Sequence, residues 1–227
     1  MYRIVVGSVI ATVLGVAATT LERTYDIPED LKKYSAPFPD GVLEKIEAAQ
    51  LSADQRNLAL VGGLIGAAVC VCLGAAVTSG NPAKGVVTGA VLGGLLGGAG
   101  GAVSASAFRH FILNPLFPGS PFLDGVAAQG SLTVLVALAL GLTVLVASSK
   151  TLKSETPAVI VVVGLVASAM YPLLSAIAFP LMKSQQAIPE GMGNRGLWIG
   201  LPVALFAVTL IRSRRPSSAD AADVGSN

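Results

Sequence analysis

The chain has 227 residues, 53% of them hydrophobic and only 12% charged, with a mean hydropathy of +0.72. Soluble domains carry roughly 25% charged residues, so this balance excludes a large aqueous domain and indicates an all-α, polytopic transmembrane helix bundle. A formal net charge of +2 without a basic block gives no sign of nucleic-acid binding.

Residues 1–21 form the first apolar segment, with Arg3 ahead of it and Val16-Ala17-Ala18-Thr19 near its end. A short basic start, an apolar run and small residues fit a secretory signal peptide. The same pattern fits a first transmembrane helix carrying Gly7 and Gly15, and the uncleaved helix is the reading adopted. Residues 22–57 hold eight acidic and five basic residues and three prolines. This is the substantial polar segment, expected outside the cytoplasm. Asp40 is placed to cap a short amphipathic helix with Val42, Leu43 and Ile46 on one side. Ser52-Ala53-Asp54-Gln55 reads as a capping box that opens the second membrane helix. Asp26, Glu29 and Asp30 lack the glycine and the spacing of a calcium loop and read as a solvated face.

Residues 58–107 are the centre of the sequence. Every fourth residue from 85 on gives Gly85, Gly89, Gly93, Gly97, Gly101 and Ala105, and a second row gives Gly94, Gly98, Ala102 and Ser106. Eight glycines between Gly85 and Gly101 would ruin a helix in water, each costing about 1 kcal/mol relative to alanine. In hydrocarbon the backbone must bond to itself, so helix is imposed and the lost bulk becomes a groove for another helix. Leu58–Ser79 carries a matching row, Gly62, Gly66, Cys70, Gly74 and Thr78, and Gly80-Asn81-Pro82-Ala83-Lys84 is a short turn. A tight antiparallel glycine-zipper hairpin is expected. Its packing interface comprises Gly62, Gly66, Gly74, Gly85, Gly89, Gly93, Gly97 and Gly101, with Gly94 and Gly98 as a surplus groove. Cys70 and Cys72 lie two residues apart on the helix, where neither a mutual disulfide nor a metal clamp fits.

Residues 108–124 interleave phenylalanines with prolines and read as an interfacial or re-entrant loop. Arg109 and the only histidine, His110, open it and are candidates for contact with a lipid headgroup. Three more transmembrane helices are expected within 125–211. The fifth begins at Thr156-Pro157 and bends at Pro172, where Tyr171, Ser168 and Ser175 form a polar spot. The sixth runs from Gly196, after a polar loop, and sets Trp198 at the interface. Residues 212–227 read as a disordered cytoplasmic tail.

With both termini cytoplasmic, the inner segments hold seven basic and three acidic residues and the longer outer segments eight and ten. That asymmetry sets the expected orientation, and the Ala/Gly/Val-rich composition suggests a bacterial inner membrane. These boundaries leave the spans without ionisable residues, the usual mark of an ion path or a catalytic centre. No catalytic, cofactor-binding or metal-binding residue is assigned. The expected function is therefore non-enzymatic: a scaffold or accessory subunit acting by helix packing in the bilayer, through a membrane-protein partner or self-association at the glycine ladder. The alternatives are a small-solute channel or facilitator, and a membrane-embedded enzyme acting on lipid through His110 and an acid such as Asp40.

Overall fold

The computed structural model describes residues 1–34, 36, 39–78, 81–113, 121–148, 152–179 and 187–214. It is a helical bundle of α1 (Tyr2–Ala18, extended by a 3-10 turn Thr19–Leu21), α2 (Glu29–Lys32), α3 (Val42–Val77), α4 (Pro82–Leu113), α5 (Pro121–Ser148), α6 (Thr156–Ala178) and α7 (Met192–Arg212). All but α2 are long and apolar enough to cross a membrane. Helix is what an apolar chain must adopt there, because each backbone group finds its partner within the same segment. The protein is accordingly a multi-pass all-α bundle. A bridge between Leu152 and Arg214 ties the start of α6 to the end of α7.

Helix α3 is the hub. It packs most extensively on α4 and also meets α1 and α5, while α5–α6, α6–α7 and α7–α1 contacts close the ring. Its Val61, Ile65, Val69 and Leu73 recur every fourth residue and are all buried. Helix α1 buries Ile4, Gly7, Ala11, Gly15 and Ala18, a single stripe at helical spacing. Val5, Val9, Val13 and Leu14 face outward. Both α1 glycines are close approaches: a Cβ on Gly7 would lie 2.9 Å from the Cys72 carbonyl oxygen, and one on Gly15 2.9 Å from the Ile199 side chain.

Several sequence expectations are corrected here. The amphipathic helix and the second span are one helix of 36 residues, about 54 Å long, well beyond the about 30 Å of a bilayer core. The Ser52–Gln55 box therefore lies inside a helix. Asp40 does not cap it either: Gly41, with φ +74°, occupies the cap position without a side-chain bond. Helix α4 continues through Arg109 and His110 to Leu113, and α5 starts at Pro121, so both ends of the expected loop are helical. Helix α7 begins at Met192, taking Asn194 and Arg195 out of the expected loop. Trp198 is buried at 4% exposure rather than set at an interface. It packs with Ile65, Val69 and Phe206 around a cavity of about 30 Å³ between α3, α5 and α7. The expected tail from 216 onward lies outside the described residues, as does the middle of the 108–124 segment.

Candidate functional site

Two features of this bundle go beyond ordinary packing: the seam between α3 and α4, and the polar end where α1, α4 and α6 finish and α5 and α7 begin.

At the seam, glycines of the two helices meet backbone to backbone in one antiparallel register. Gly62 faces Gly97, Gly66 faces Gly93, Cys70 faces Gly89, Gly74 faces Gly85, and Leu58 faces Gly101. A Cβ on Gly85 would lie 2.6 Å from the Gly74 carbonyl oxygen, and one on Gly93 would land on the Gly66 carbonyl. Side chains at these positions cannot be fitted without parting the helices. The second row is used differently. Gly98 lies near the Ala59 carbonyl, the Gln55 Nε2 donates to Ser106 Oγ at 2.9 Å, and Gly94 has open space beside it. Helix α5 approaches α4 at Gly100, where a Cβ would lie 3.0 Å from the Leu132 backbone.

At the polar end, a vestibule of about 880 Å³ is walled by α3 (Gln50, Asp54, Asn57), α4 (Phe108, Arg109), residues 22–27, residues 187–190 and Arg195. The residues on α3 recur at 50, 53, 54, 57 and 58, one helical face that α3 presents because it overshoots the bilayer. Asn57 clamps the strap that follows α1: its Oδ1 accepts from the Tyr25 N–H at 2.7 Å and its Nδ2 donates to the Tyr25 carbonyl at 2.8 Å. Arg195 holds the opposite wall. Its Nη2 donates to both oxygens of Glu22 at 2.8 Å, its Nη1 to the Thr19 carbonyl and hydroxyl at 3.3 and 3.2 Å, and its Nε to the Pro189 carbonyl at 2.9 Å. One guanidinium thus joins the end of α1, the segment before α7 and the first turn of α7. On the rim, Lys32 lies 2.7 Å from Asp26 and 2.9 Å from Glu29. The lysine beside it holds the Asp26 carboxyl below the usual carboxylate range.

Deeper in, Asn194 is fully buried, and its Oδ1 accepts from the Tyr171 hydroxyl at 2.9 Å and the Ser175 hydroxyl at 2.8 Å. Its Nδ2 has no hydrogen-bond partner among the described residues. Ser168, by contrast, bonds back to the Gly164 carbonyl within its own helix. The sequence offered Tyr171 and Ser175 as a polar spot but not the asparagine that gathers them. Asn194→Ala leaves two hydroxyls in a water-poor interior without their acceptor, so a loss of about 1–3 kcal/mol is expected. Thermal unfolding of the purified protein in detergent measures it.

The headgroup candidates Arg109 and His110 lie on the last turns of α4. Arg109 Nη2 is 3.8 Å from Glu47, and the His110 ring stands edge-on to Phe111. Both residues line a second, shallow groove of about 570 Å³ with Leu51, Val103, Ser106, Ala107 and Phe111. His110 and Asp40 are not brought together. In the register of the seam His110 stands level with Ala49, about 10 Å of helix rise from Val42, which Asp40 precedes. Among the described residues no group of three His, Cys, Asp or Glu side chains is placed to hold a metal ion. Cys70 and Cys72 are free thiols on the same helix.

Compared with known proteins, the chain matches no family model, no curated protein and no solved structure.

Proposed function

We propose that this protein is a non-enzymatic scaffold or accessory subunit of a membrane complex. In this reading the α3–α4 glycine-zipper hairpin is a rigid core, and the outward face of α4 docks an apolar helix of another membrane protein. The observation that carries it is Gly94, which has nothing within 4 Å of where a Cβ would stand. It sits in a strip with Val87, Val91 and Leu95, all exposed. A notch of this kind gains little from lipid, whereas a second helix can seat in it and gain dispersion contacts. The main ladder is occupied by α3, so of the two glycine rows on α4 the one left open to a partner is the strip at Gly94.

A bacterial inner membrane with both termini cytoplasmic places the vestibule on the outer side, in line with the basic residues. A solute path through a single copy is not favoured, because the small cavity between α3, α5 and α7 has an apolar lining.

The test is the mass and composition of the complex extracted from native membranes in mild detergent. Wild-type protein is expected to bring down a stoichiometric membrane partner, and Gly94→Leu to lose it while folding normally. A lone monomer from wild-type membranes would overturn the reading, and a homo-oligomer without a partner would turn it toward the channel.

A further inference from the structure

The vestibule and the shallow groove lie on opposite sides of the α3–α4 seam, and Arg109 lines both. On α3, Gln50 and Asp54 face the vestibule while Leu51 faces the groove. Between them the Gln55–Ser106 bond closes the seam below. The groove is apolar along Leu51, Val103, Ala107 and Phe111 and opens beside Val103, which is exposed on the lipid-facing side. From Val103 to Phe111 it follows about 12 Å of helix, the reach of a partial acyl chain. The side chain of Arg109 is 28% exposed, and the contact of its guanidinium with Glu47 at 3.8 Å is too long for a hydrogen bond. It keeps donors for a phosphate, two of whose oxygens match the planar guanidinium fork.

The vestibule adds a second criterion. Its walls carry Arg23, Arg109 and Arg195 with Glu22, Asp26, Asp54 and Glu190. Arg195 is taken up by Glu22, and Asp26 by Lys32. Arg23 and Arg109, the latter also 3.8 Å from Glu47, then stand with Asp54 and Glu190, charges of both signs, which suits a head that carries both.

We infer that the α3–α4 seam holds one zwitterionic phospholipid, its acyl chain in the groove, its phosphate on Arg109 and its amine turned toward Asp54 in the vestibule. This site is independent of partner docking, which uses the strip around Gly94.

Native mass spectrometry of the full-length protein in mild detergent, with phosphatidylethanolamine and phosphatidylglycerol of identical chains as probes, tests it. One phosphatidylethanolamine per chain is expected, held in preference to phosphatidylglycerol. Arg109→Gln should weaken retention about tenfold, the scale of one lost charge-assisted bond. Ala107→Phe, which fills the groove and leaves the arginine, should also release the lipid, and Asp54→Asn should erase the preference between heads. Lys84→Gln, near the opposite end of α4, should change nothing. Unchanged retention in both Arg109→Gln and Ala107→Phe overturns the site, and equal retention of the two probes by wild-type protein overturns the head assignment.

Discussion

Gly66→Leu is expected to separate α3 from α4 and to remove most of the folded protein from the membrane. A Cβ at residue 66 would land on the Gly93 carbonyl, and Gly97 is also in its way. The obstruction is backbone, which has no rotamer to change. The helices must therefore move apart, and the glycine contacts above and below, from Leu58–Gly101 to Gly74–Gly85, open with them. The expected loss is about 3 kcal/mol or more, at the upper end of overpacking costs. Each helix stays helical, because the bilayer imposes that, so the failure is of packing rather than of secondary structure. Thermal unfolding in detergent and steady-state amount in membranes both report it. Gly94→Leu is the matched control: the same added bulk meets open space, and a change within about 0.5 kcal/mol is expected.

Arg195→Gln should be the second most damaging change. The Arg195 and Glu22 side chains are only 14% and 27% exposed, and the pair spans 173 residues of sequence. Glutamine keeps some donors but leaves the Glu22 carboxylate without its counter-charge beside the buried Thr19. Breaking a fully buried pair costs about 3–5 kcal/mol; partial exposure of Glu22 lowers the expectation here to roughly 2–4 kcal/mol. The loss should be local to the polar end: α1 loosens from α7 before the hairpin opens. Hydrogen exchange checks this, with faster exchange expected in 19–25 and 187–195 and unchanged protection in 62–74.

The spans were legible because an apolar run of sufficient length leaves the chain few options in hydrocarbon. The antiparallel pairing of the two glycine rows could be anticipated for a related reason: equal four-residue spacing and a short turn bring one row over the other. What the sequence concealed were continuities and distant partners. Ser52-Ala53-Asp54-Gln55 carries the local chemistry of a helix start, but the helix arriving from Val42 overrides it, since no glycine or proline interrupts 42–57. Met192-Gly193-Asn194-Arg195 is polar and contains glycine, the composition of a loop; its helical state follows from tertiary bonds, Arg195 to Glu22 and Asn194 to Tyr171 and Ser175. Those partners are far away in sequence, and no local pattern encodes them. Trp198 shows the opposite error. Its amphipathic ring suits an interface, yet the gap between α3, α5 and α7 is large enough to take it.

The most direct measurement is site-specific crosslinking from position 94 in native membranes, using Gly94→Cys in a chain whose Cys70 and Cys72 are alanine. A cysteine at Leu165, exposed on α6, serves as the comparison. A single discrete adduct with another membrane protein, formed from position 94 and not from 165, is expected if the outward face of α4 is a docking surface. No adduct from position 94, or the same diffuse set from both positions, would contradict it and leave that face to lipid.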